Sequence, residues 1–183
     1  ILAVGDIVGE IGVKELQKRL QKVKQKYNVD FTIVNGENAA EGMGITEKNF
    51  KDILAAGADT VTMGNHTWGK KEIFKFIDNP KLIRPANYPK EVCGKGYNVY
   101  RCKDKKIAVI NALGRAEINI MLDNPFAVVK DIVDRIKNEV DIIMFDFHAE
   151  ATAEKKAMAY YLDGEITAIF GTHTHTQTAD EQI

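Results

Sequence analysis

The chain has 183 residues, 45% of them hydrophobic and 28% charged, and a formal net charge of −1. That length and balance describe one globular domain, and they exclude the general basic field needed to hold long nucleic acid. No run reaches the ~18 apolar residues of a membrane span, and two cysteines, Cys93 and Cys102, are too few for a disulfide framework and lack metal-site spacing, so reduced thiols in a cytoplasmic protein are expected.

Ile1–Gly5 reads as the first strand. Val13–Tyr27 follows as an amphipathic helix with Leu16, Leu20, Val23 and Tyr27 on one face, and its Lys/Arg residues read as a solvated side. Phe31–Val34 is the second strand. Thr46 is placed to cap a helix carrying Phe50, Ile53 and Leu54, and Gly57 to end it. Thr60–Met63 is the third strand and Glu72–Ile77 a short helix. Tyr97–Cys102 and Lys106–Ala112 flank a polar turn and predict a hairpin. Asn124 and Pro125 open a helix with Val129, Ile132, Val133 and Ile136 inward. Asp141–Phe145, a helix over Ala153–Leu162 and Ile166–Phe170 complete the alternation. This pattern predicts one α/β domain spanning residues 1–183, with a mostly parallel sheet and helices on both faces.

Five of these apolar runs end in polar residues able to bind metals: Asp6; Glu37 and Asn38; Asn65 and His66; His148; and His173 with His175. The carboxyl ends of parallel strands lie along one edge, where ligands bind, so segments far apart in sequence would meet in one crevice. All four histidines lie in these segments. Carboxylate, amide and imidazole donors without a thiol suit Mn, Fe, Zn or Mg. One carboxylate can bridge two metals about 3.5–4 Å apart.

Each segment alone has a plainer reading. Asp6 could cap a helix, Glu37 and Asn38 could form an exposed turn, and His148 could be a hydrogen-bonded core residue. Gly5, Gly9 and Gly12 do not fit the G-x-G-x-x-G of a dinucleotide loop. Trp68 is expected to pack at the rim of the crevice. A shared metal crevice accounts for all five segments at once.

The order GD, GEN, GNH, a strand-end His and GTHTH resembles the calcineurin-like metallophosphoesterase superfamily. The wording GDIVG, VNGENAA, TMGNHTW, RPANYP, DFHAEAT and GTHTHTQTAD is similar to its YmdB-type bacterial branch, from Ile1 to the end of the chain. The resemblance implies a double β-sandwich flanked by helices, with the final strands of the second sheet lying beyond Ile183. It implies that Asp6, Asn38 and His175 hold one metal, that Asn65, His148 and His173 hold a second, and that Glu37 bridges them. His66 would be the catalytic residue, and Asn65 and His66 would face the substrate. Val8 stands where the wider superfamily has a metal-binding His, and Gly69 where an acidic residue often follows the GNHTW motif.

The activity so implied is binuclear phosphodiesterase action on small phosphodiesters, cyclic nucleotides and 2′,3′-cyclic ones among them. The expected mechanism is attack by a hydroxide held between two divalent ions, with His66 as general acid. Expected partners are a small phosphodiester or nucleotide, with no membrane and no long nucleic acid, and a homo-oligomer is left open. The alternatives are a phosphomonoesterase or protein phosphatase on the same centre, and a regulatory metal-binding protein with little turnover.

Overall fold

The computed structural model describes residues 1–183. Its elements run β1 (Leu2–Val4), α1 (Gly9–Tyr27), β2 (Thr32–Asn35), α2 (Glu47–Ala56), β3 (Thr60–Thr62), a 3-10 turn (Lys71–Lys75), β4 (Leu82–Ile83), β5 (Tyr97–Cys102), β6 (Lys105–Leu113), α3 (Pro125–Ile136), β7 (Ile142–His148), α4 (Thr152–Tyr161) and β8 (Ala168–Thr172). Helix boundaries follow local chemistry. Asn28, at φ 51°, closes α1. Thr46 and Asn49 form a reciprocal capping box on α2, and the left-handed Gly57 ends it. The Asn124 side chain accepts from the Phe126 N–H, with Pro125 in the first turn of α3.

The strands form two sheets, not the single sheet that alternation alone predicts. The first has the order β1-β2-β3-β4 and is wholly parallel. The second has the order β5-β6-β7-β8, with an antiparallel β5–β6 hairpin followed by parallel pairs. The fold class is therefore α/β, a four-layer helix–sheet–sheet–helix sandwich, as the family resemblance implies. Two apolar faces on one strand explain the difference. In β2, Val34 packs with α1 and α2, while Ile33 joins Ile107, Val109 and Met144 between the sheets. In β7, Phe145 and Phe147 pack against α3 and α4, while Met144 faces the other sheet. A strand covered on both sides shows no alternation, so its sequence does not say whether a helix or a sheet covers it. Strand β4 carries no sequence signal beyond Leu82–Ile83, and the expected Glu72–Ile77 helix is the 3-10 turn.

The layer between the sheets changes character along its length. Ile33, Ile83, Ile107 and Val109 fill one part. Towards the carboxyl ends of the strands come Asn35, Thr62, Asp146 and Thr172, all buried. The helices, by contrast, pack on largely apolar faces. Cys93 and Cys102 are free thiols. No helix is long and apolar enough to cross a membrane.

Candidate metal centre

The predicted segments meet at the polar end of the inter-sheet layer. Glu37 and Asn38 follow β2 after Gly36, Asn65 and His66 lie just past β3, His148 is the last residue of β7, and His173 follows β8. Both Glu37 and His148 are fully buried. The His148 Nε2 atom lies 3.0 Å from Glu37 Oε1, 2.9 Å from Asn65 Oδ1 and 3.1 Å from His173 Nδ1. A second group adjoins it. There, His175 Nε2 stands 3.1 Å from Asp6 Oδ2 and 3.3 Å from Asn38 Nδ2, which itself lies 3.3 Å from Glu37 Oε1.

Four atoms carrying lone pairs thus crowd one point where a single N–H cannot satisfy them all. Ligand atoms ~2.1 Å from a metal sit about 3 Å from each other at right angles around it. The spacing about His148 Nε2 matches that shell, and donor atoms of Glu37, His148 and His173 all lie within 4.8 Å of one another. The donor chemistry therefore fits a divalent ion. At the second group, Asn38 turns its amide nitrogen towards His175 and Glu37, while its Oδ1 accepts from His66 Nδ1–H at 2.7 Å. Ligation through the Asn38 carbonyl requires the amide to rotate.

His66 is about one-third exposed. Its backbone N–H donates to Glu37 Oε2 at 2.8 Å, which fixes the residue beside the carboxylate independently of its ring. The bond to Asn38 places a proton on Nδ1 and leaves Nε2 free of that contact. Asn38 thus orients His66 where an acidic residue at position 69 could not. A Cβ on Gly69 would come within 2.8 Å of Met43 Cγ and 3.0 Å of the Gly44 nitrogen. Val8 is 44% exposed and takes no part in the cluster. Trp68 stacks on Phe74 with ring centroids 5.4 Å apart and meets Tyr88 edge-on at 5.7 Å.

Sequence reasoning assigned no role to Asn35, Asp146, Glu150 or Thr172. Asp146 accepts from the hydroxyls of Thr62 and Thr172 and from Asn35 Nδ2. Glu150 Oε2 lies 2.9 Å from His173 Nε2. The available signal was Asp146, an acid inside an apolar strand two residues before a histidine. That spacing puts both side chains on one face of a strand.

Charge in the cluster is coupled. Burial pushes the Glu37 carboxyl up, but the bond and charge of His148 and the His66 N–H outweigh it and hold Glu37 below the usual carboxylate range. Burial pushes His148 down, yet Glu37, then Asp146 and Asp6, carry it above the usual imidazole value. Burial and the neighbouring His148 keep His173 low. Burial pushes Asp146 up to about 6. Glu37 and His148 thus each favour the charged form of the other.

The signs of these shifts set a pH dependence. His148 has a raised folded pKa, so its contribution to stability is full below 6.5 and is lost as pH rises through the raised value. The raised Asp146 carboxyl acts in the same direction, its contribution fading as pH climbs to about 6. Glu37 is depressed, so its contribution is present above 4.5 and lost as pH falls through the lower value. His173 is depressed and acts the other way up to 6.5, so above that pH His148 dominates: we expect the metal-free protein to melt at lower temperature at pH 8.5 than at pH 7, and excess Zn²⁺ to remove most of that difference by replacing the proton. Melting curves at both pH values with and without Zn²⁺ provide the check, and a pH effect indifferent to the metal would contradict it.

Gly64 is required by close approach. A Cβ there would overlap Glu37 Oε2 and His148 Nε2. Gly64→Ala is expected to displace both groups, to reduce bound metal, and to destabilise the fold by ~1–3 kcal/mol, as overpacking does. Metal content and a denaturation curve test this, and a fully loaded variant would refute the placement.

The four-layer sandwich and its strand-end set of carboxylate, amide and imidazole donors define a protein of the phosphoesterase class. The chain belongs to the YmdB-like protein family, whose model matches residues 2–183. It is 48% identical over 184 residues to the 2′,3′-cyclic-nucleotide 2′-phosphodiesterase of Bacillus subtilis, covering all of this chain and 69% of that protein. A solved structure from Thermus thermophilus superposes with a TM-score of 0.92 at 34% identity, over 99% of this chain and 70% of that one. A solved Mycoplasma pneumoniae phosphatase gives a TM-score of 0.90 at 37% identity, over 97% and 65% of the two chains. The chain thus spans about two thirds of the length of the relatives it matches.

Proposed function

We propose that the protein hydrolyses small phosphodiesters, with 2′,3′-cyclic nucleotides as the substrate class. The convergence of Glu37, Asn65 and His173 on His148 Nε2 at 2.9–3.1 Å carries this reading. The name of the B. subtilis relative supports the substrate. Asn65, His148 and His173 would hold one divalent ion, Asp6, Asn38 and His175 a second, and Glu37 would bridge them. Bound there, such ions would activate water for attack and neutralise charge on the phosphoryl group.

The chain's own residues do the rest. Glu37 keeps its charge within a buried layer because His148, Asn38 and the His66 N–H all face it. Asn38 holds the His66 ring by Nδ1. In the imidazolium form His66 Nε2–H is then free to give its proton to the departing ribose oxygen, which leaves the ring neutral with its proton on Nδ1, and the partly exposed ring gives it access to a bound ester. Asn65 stands beside the same point and can contact a phosphoryl oxygen. Trp68, stacked on the exposed Phe74, forms an aromatic wall two residues from His66.

The test is metal analysis of protein purified without chelator, with a parallel assay of 2′,3′-cyclic nucleotides, nucleoside monophosphates and a phosphopeptide. Preferential hydrolysis of the cyclic diester by metal-loaded protein supports the proposal. Preference for monoesters would favour phosphatase action on the same centre, the activity named for the M. pneumoniae structure. A loaded but inert protein would favour a regulatory role.

A further inference from the structure

We infer that Asp146, Thr172 and Glu150 are positioning residues that fix His148 and His173 in opposite tautomers, so that both rings present a lone pair to the same point. The inference rests on the proposed reading of that point as a metal site.

The geometry assigns each proton. The buried Asp146 carboxylate accepts the Thr172 hydroxyl hydrogen at 2.6 Å. A hydroxyl has one hydrogen to give, so Thr172 Oγ1 is left to accept, and its neighbour at 2.9 Å is His148 Nδ1. The nearby Asn35 Nδ2 lies 3.4 Å from that nitrogen, and Asp146 Oδ2 at 3.3 Å and the Met63 carbonyl at 3.5 Å receive its hydrogens. With Nδ1 protonated, His148 turns the Nε2 lone pair towards Glu37 and Asn65. His173 is wired the other way round. Its Nε2–H donates to Glu150 Oε2 at 2.9 Å, which leaves the Nδ1 lone pair 3.1 Å from His148 Nε2.

The pleat supplies the arrangement. Asp146 and His148 are two apart on β7 and share the inter-sheet face, and Thr172 of β8 is the residue in register with His148. Thr62 of β3 and Asn35 of β2 also bond Asp146, so the carboxylate is held by strands of both sheets. Partners of this kind fix ring orientation in metal sites, and losing one typically weakens binding roughly 10–100-fold.

The test uses the full chain with Thr172→Val, Thr172→Ser and Glu150→Ala. Two readouts are Zn²⁺ affinity by calorimetry and the ring protonation pattern from ¹⁵N spectra of labelled histidine. Wild type should carry the proton on Nδ1 of His148 and Nε2 of His173, both with Zn²⁺ and without it at a pH high enough for both rings to be neutral. Thr172→Val should lose the His148 pattern and bind Zn²⁺ roughly 10–100-fold more weakly, and Thr172→Ser should restore both. Glu150→Ala should do the same to His173 alone. A merely structural threonine would lower the melting temperature without moving the ring protons. Unchanged ring patterns and affinity in the Val and Ala variants would overturn the inference. Wild type that shows the expected ring pattern but takes up no Zn²⁺ would overturn the metal reading and keep the tautomer assignment.

Discussion

Glu37→Gln should abolish phosphodiester hydrolysis while leaving the fold intact. Glu37 is fully buried and faces His148 Nε2 at 3.0 Å, Asn38 Nδ2 at 3.3 Å and the His66 N–H at 2.8 Å. Gln keeps the shape and one acceptor oxygen, so the His66 bond and the packing under Gly64 survive. It loses the charge and one of two oxygens able to bridge. Electrostatic stabilisation from metals is worth several kcal/mol, so a drop of roughly 10³-fold in turnover is expected. Bound metal should fall with it, and circular dichroism should show the native sandwich. Full metal loading with undiminished turnover in this variant would remove Glu37 from the bridging position.

His66→Ala should separate catalysis from metal binding. The contact that ties position 66 to Glu37 is the backbone N–H, which alanine retains. The lost group is the ring, held through Nδ1 by Asn38. General-acid catalysis typically contributes ~10²–10⁴-fold, and its loss hurts a poor leaving group most. Turnover of a 2′,3′-cyclic nucleotide should therefore fall by about that factor, and that of a nitrophenyl diester by much less, at unchanged metal content. Equal losses on the two substrates would mean that His66 does not protonate the leaving oxygen.

The two variants probe different layers of the same site. The Glu37 carboxylate belongs to the buried network between the sheets, and the His66 ring to its open rim. Asn38 joins them, with one end of its amide on each residue. Asn38→Ala is therefore expected to show joint loss of metal and of leaving-group discrimination.

The helices and the donor positions could be read from sequence because their causes are local. Thr46 and Gly57 bound α2, Asn124 and Pro125 open α3, and a polar residue after an apolar run stands at a strand end wherever that strand goes. So Asp6, Glu37, Asn38, Asn65, His66, His148, His173 and His175 could be named before any coordinates. Three things needed the folded chain. Strands β2 and β7 are apolar on both faces, so their patterns did not show that one face meets a second sheet. The partners of Asp146 come from Asn35, Thr62 and Thr172, separated by up to 111 residues, and only packing makes them neighbours. Which nitrogen of each ring faces the centre depends on what stands behind it, and a sequence records the residue without its orientation.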